Sequence, residues 1–88
     1  MSYSEQVKKD AKAAADYIRE RGWWQGAAHG PNGSVCAFGA MCEANYAEAD
    51  RLREAFSEEV GIDTPIWNDS VGRTKEEVLE VFDRIANS

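Results

Sequence analysis

The stretch Trp23-Trp24-Gln25-Gly26, followed by Gly30-Pro31-Asn32-Gly33 and Ser34-Val35-Cys36-Ala37-Phe38-Gly39-Ala40, decides the fold class. Between Trp23 and Ala44 lie two of the three Trp, both Cys and the only His. Large rings stand there beside residues without bulk, which suits close approach of backbones. The aromatic pair favours a short strand. Pro31 fixes φ, Asn32 tolerates the left-handed region and Gly33 prefers it, so this is a strong turn signal. Ser34-Val35-Cys36 then returns as the second strand of a short β-hairpin. A lone hairpin is marginal in water, so it must pack on helices.

Helices are expected on both sides. Val7, Ala11, Ala14, Ala15 and Ile18 recur at helical spacing, predicting a first helix from about Ser4 to Arg21. Ser2 and Glu5 have capping-box spacing, with Ser4 as the alternative cap. Gly22 terminates it. Ala37, Ala40, Met41 and Ala44 predict a short second helix. Asn45 and Glu48 have the spacing of a cap and its partner, so a third helix starts there, with Ala49, Leu52, Phe56 and Val60 as its core face and Gly61 as its end. One continuous helix from Ala37 to Val60 is the rival reading. Ile62 to Arg73 is a loop too apolar for a free linker. Thr74 and Glu77 form a capping box. Val78, Leu79, Val81, Phe82, Ile85 and Ala86 then give the most amphipathic helix of the chain. The expected fold is α+β, mostly α: one small domain over residues 1–88, three or four helices, and one short β-hairpin between helix 1 and helix 2.

A formal charge of −6 argues against nucleic-acid binding, which needs a basic surface, and against anionic lipid headgroups. No apolar run approaches the ~20 residues of a membrane helix, and the N-terminus has no signal-peptide pattern. A reducing cytoplasm is the default compartment. Cys36 and Cys42 would point apart on one helix, a poor geometry for a disulfide.

Gly22-Trp23-x-Gln25-Gly26, then Gly33-x-x-Cys36-Ala37-x-Gly39-Ala40, Ala44, and Trp67-Asn68-Asp69 ahead of Thr74-x-Glu76-Glu77-Val78-Leu79 form an ordered set. In that set the chain resembles a small uncharacterised family of actinobacteria and their bacteriophages. The resemblance covers about Arg21 to Ala86. It implies a phage or actinobacterial cytoplasmic protein, for which a phage accessory role on a host protein would be typical. It implies no activity.

Candidate sites carry a bland reading beside the functional one. Cys36 near a helix start, with Gln25 and His29 upstream, has the elements of an activated thiol. Its neighbours Val35, Ala37 and Phe38 suit a buried small hydrophobe instead. His29, Cys36 and Cys42 lack the paired spacing of a zinc site, so neither a metal nor a cofactor is expected. Asn68 and Asp69 read either as a turn whose side chains bond nearby backbone or as a contact to a partner. Trp24 points opposite to Trp23 in a strand, so one of them is exposed and is a candidate interface anchor. The expected function is a non-enzymatic protein-interaction module. Trp24, His29, Asn68 and Asp69 would be its partner-binding residues, and a protein with a basic surface its partner. The alternatives are a small enzyme using Cys36 as nucleophile, or an acidic nucleic-acid mimic that blocks a DNA-binding protein.

Overall fold

The computed structural model describes residues 3–88. Helix α1 (Glu5–Arg21) is followed by α2 (Ala37–Asn45), α3 (Ala49–Val60), a five-residue α4 (Thr64–Asn68) and α5 (Lys75–Ala86), with 3-10 turns at Pro31–Gly33 and Tyr46–Glu48. Helix α1 packs along both α2 and α5. Its core face is Ala11, Ala14, Ala15 and Ile18, all fully buried. Alanine keeps side-chain bulk low there, so both neighbours approach closely. The radius of gyration is 11.4 Å, as expected for a compact chain of this length.

The helix ends follow local chemistry. The Ser4 side chain accepts from the Val7 N–H and starts α1; Ser2, the other candidate cap, lies outside the described residues. Gly22 at φ 102 ends α1, and Gly61 in the left-handed region ends α3. At α5 the capping box is complete: Thr74 Oγ1 accepts from Glu77 N–H at 3.2 Å, and Glu77 Oε1 accepts from Thr74 N–H at 2.9 Å. The Thr74 N–H, first among several donors, holds the Glu77 carboxyl below the usual carboxylate range. The bond's contribution is therefore present at neutral pH and is lost as pH falls through that lowered pKa. Thr74→Ala is expected to lower stability by about 1 kcal/mol in urea denaturation, and Glu77→Ala by less. Parity of Thr74→Ala with the parent would place the helix start elsewhere.

The core is one aromatic-centred cluster. Phe56 of α3 meets Phe82 of α5 edge-on at 5.0 Å and Trp67 of α4 at 5.3 Å. Ile18, Met41, Leu52, Val78 and Ile85 fill in around them.

Three expectations are corrected. The β-hairpin does not form: the described residues contain no strand, only two isolated bridges, Trp23 parallel to Val35 and His29 antiparallel to Val35. Val35 is gripped from both sides, its N–H donating to Gly22 O and its carbonyl accepting from Trp24 N–H. On the other side Cys36 N–H donates to Ala28 O, and Gly30 N–H to Ser34 O. The ladder stops after one rung because the groups that would extend it are used elsewhere. Gly26 N–H goes to the Asp69 carboxylate, Trp24 O accepts from the Asn68 amide, and Ala37 N–H donates to Asn68 Oδ1. The second correction is α4, in a segment expected to be a loop. Buried Thr64 donates through its hydroxyl to Arg53 O, and its N–H donates to Ser57 Oγ, which docks the helix start on α3.

The third concerns Asn45. It separates α2 from α3, as the two-helix reading requires, but by leaving helical geometry at φ −164 rather than by capping. Its amide instead donates to the buried carboxylate of Asp10 on α1 at 3.2 Å.

Candidate functional site

One buried side chain is the central tie of the loop from Gly22 to Cys36 to the body of the protein. Asn68, the last residue of α4, has no exposed surface. Its Oδ1 accepts from Trp23 Nε1 at 2.7 Å and from Ala37 N–H at 2.9 Å. Its Nδ2 donates to Trp24 O at 3.2 Å and to Asp69 Oδ1 at 3.0 Å. Ala37 is the first residue of α2, so this bond satisfies one of the N–H groups that a helix start leaves without an intrahelical partner. Asp69 in turn accepts from Gly26 N–H at 3.0 Å. Loop, α2 and α4 therefore meet at a single amide, and every polar atom of that amide is used.

The four residues named from sequence as partner contacts fare differently. Trp24 is 40% exposed. Its ring lies on Gly30, where a Cβ would come within 2.4 Å of the indole. His29 is exposed, with Nε2 2.9 Å from Glu43 Oε2 of α2. Asp69 is exposed at the base of the loop. Asn68 has no exposed surface; its amide bonds the backbone of Ala37 and Trp24, 31 and 44 residues away, and the Trp23 indole, rather than only nearby backbone.

The family model for DUF6197, described as a family of unknown function, matches residues 2–88. This protein belongs to that family. No curated protein and no solved structure matches it. In this DUF6197 chain, Trp23, Gln25 and Gly26, Ala37, and Asn68 and Asp69, which carried the sequence resemblance, converge on the Asn68 network. Those residues build the scaffold of the loop.

Beside the network lies a cleft of about 170 Å³ lined by Ala27, Ala28, Cys36, Phe38, Pro65 and Asp69. Cys36 is the N-cap of α2, and its Sγ accepts from Gly39 N–H at 3.4 Å. Burial pushes the thiol above its ordinary pKa, against the N–H groups of Gly39 and Phe38, which act the other way. The His29 imidazole pairs with Glu43 and makes no hydrogen bond to Cys36 among the described residues. Both cysteines are free. Among the described residues no three His, Cys, Asp or Glu side chains converge as metal ligands, and no helix is long and apolar enough to cross a membrane.

Native-state thiol labelling is expected to modify half-buried Cys42 first and Cys36 more than about tenfold slower, at the rate of local opening. Fast modification of Cys36 with a depressed pKa would restore the nucleophile reading.

Two features were missed from sequence. Gly39 lets α2 pass against the loop: a Cβ there would stand 2.0 Å from Ala28 O. Its signal was a Gly beside Phe38 in the first turn of a helix. Phe38, Cys42 and Tyr46 were also not read as a set: Phe38 and Cys42 lie four apart on α2, and Tyr46 follows in the 3-10 turn beside them. Tyr46 is 82% exposed.

Proposed function

We propose that this protein is a non-enzymatic interaction module, a phage accessory protein that binds a host or phage protein in the cytoplasm. The contact surface is the loop bearing Trp24 and His29, with Asp69 at its base. Asn68 enters as the residue that fixes the loop rather than as a contact. The observation that carries this reading is Trp24: a large ring, two-fifths exposed, seated on Gly30 of a loop latched to the core. An aromatic side chain already held in place loses little freedom on binding, which is the character of an interface anchor. The charge of −6 favours a partner with a basic surface and speeds its association.

An enzyme built on Cys36 has less support, because its thiol is raised in pKa by burial and His29 turns to Glu43. A nucleic-acid mimic needs ordered, unpaired carboxylates. Those of Asp16, Glu59, Asp63, Glu77 and Asp83 are paired with Lys or Arg.

The test is affinity capture from a lysate of the source cell with parent and Trp24→Ala proteins. Trp24→Ala is expected to weaken capture by about thirtyfold, equivalent to about 2 kcal/mol, with the melting temperature nearly unchanged. Unchanged capture, or an unfolded variant, would make Trp24 a packing residue and remove the proposed surface.

A further inference from the structure

Phe38 and Cys42 lie four apart on α2, and Tyr46, in the 3-10 turn that follows Asn45, joins them as an apolar stripe along one groove. Phe38 and Cys42 are half-buried and Tyr46 is exposed. The stripe floors a groove of about 350 Å³ whose far side is Ala47, Ala49 and Asp50 at the junction with α3. At one end Phe38 is shared with the cleft beside Cys36; at the other, Asp50 is shared with a groove bounded by Arg53, Glu54 and Asp63. The three depressions are therefore joined through shared walls.

The unpaired charge around this floor is acidic. Asp50 and Glu54 lie four apart on α3, both exposed, and neither has an ion pair or side-chain hydrogen bond among the described residues. Glu43 stands on the other side of Cys42. After burial and the neighbouring Cys36, the charges of Asp50 and Glu43 both act to raise the Cys42 thiol, so both carboxylates are close to the stripe. The cation at the groove is Arg53, whose guanidinium lies 5.5 Å from the Phe38 ring. It is already held by the Asp63 carboxylate at 2.7 Å. The groove thus presents an apolar floor with uncompensated carboxylates.

We propose that this α2–α3 groove docks a basic amphipathic segment of a partner protein, its apolar side chains on Phe38, Cys42 and Tyr46 and its Lys or Arg against Asp50 and Glu54. The proposal rests on the interaction-module reading and names the chemistry of the partner. A second copy of the chain fits poorly, because a self-complementary contact would set these carboxylates against one another. Phosphate backbones and anionic lipids are repelled by the same groups.

The test uses the full chain, isotopically labelled, and three synthetic peptides of about 14 residues, ~21 Å long as helices. One has a Leu stripe flanked by Lys, one the same stripe flanked by Glu, and one the Lys composition with the stripe scrambled. The Lys-flanked peptide is expected to shift the amide signals of Phe38, Cys42, Tyr46, Asp50 and Glu54, and to lose affinity as salt rises. Asp50→Lys with Glu54→Lys should weaken it by about tenfold or more and gain affinity for the Glu-flanked peptide. Tyr46→Ala should weaken both. All three positions are exposed, so thermal melts should match the parent. Equal binding of the scrambled peptide would reduce the effect to bulk charge and overturn the groove. No shifts, or no response to the charge swap, would overturn it as well. Shifts centred on Trp24 and Asp69 would overturn the groove while leaving the loop reading standing. Groove binding together with unaltered partner capture by Trp24→Ala would remove the loop and keep the groove.

Discussion

Asn68→Ala is expected to destabilise the protein by about 2–6 kcal/mol. The substitution removes the acceptor of two donors, Trp23 Nε1 and the Ala37 N–H. Leaving a buried donor without a partner costs roughly 1–3 kcal/mol each. It also frees Trp24 O and Asp69, and with them the tie between the loop and α4. Total stability of an 88-residue domain is about 4–13 kcal/mol, so a large part of it depends on one amide. Urea denaturation followed by tryptophan fluorescence reads the loss, and limited proteolysis near Gly26 reads the loosened loop. Asn68→Asp separates donor from acceptor. It keeps the acceptor for Trp23 and Ala37 but points a second carboxylate oxygen at Asp69. Its folded-state pKa must rise, so relative to the parent it should be least unfavourable at acid pH and lose stability as pH rises. A denaturation midpoint of Asn68→Ala equal to the parent's would show that the latch carries no weight.

Phe82→Ala is expected to cost about 3–5 kcal/mol, the range for truncating a core aromatic. Phe82 is fully buried on the central part of α5, and its edge-on contact at 5.0 Å supports Phe56, which in turn contacts Trp67 of α4. The cavity would therefore loosen α3, α5 and α4 together. The variant should be largely unfolded or close to it, and Phe82→Leu, which refills much of the volume, should cost less. A midpoint near that of the parent for Phe82→Ala would mean that this face of α5 is not core.

The two predictions differ in how early they could be made. The core role of Phe82 was legible in the spacing of Val78, Val81, Phe82 and Ile85, all of which are buried. The role of Asn68 was legible only as a choice between a turn and a contact. Its side chain bonds residues 31, 44 and 45 positions away, which no local pattern encodes. The same limit applies to the surface. On the assumption of a strand, one member of the Trp pair was expected to be exposed, and Trp24 was named as a candidate contact. It is the more exposed of the two although no strand forms, because Asn68 and Asp69 hold Trp23 and the Gly26 backbone inward.

What the sequence by itself determined is whatever depends on neighbours within a turn or two. That covers α1 with its Gly22 stop, the Gly61 end of α3, the Thr74–Glu77 box and the apolar faces of α1, α3 and α5, while the choice of Ser4 over Ser2 as the α1 cap was open. The tertiary structure decided the rest. An aromatic pair and a strong turn sequence signalled a hairpin packed on helices. In the folded chain, the side chains of Asn68 and Asp69 took the backbone groups that a ladder would have used. The apolar segment after Gly61 became α4 because buried Thr64 and Trp67 have partners on α3, in Ser57, the Arg53 carbonyl and Phe56. Most helix and cap signals are short-ranged and survive folding; the Asn45 cap did not, because its amide goes to Asp10 of α1. The pairing of a loop depends on which polar groups the rest of the chain brings to it.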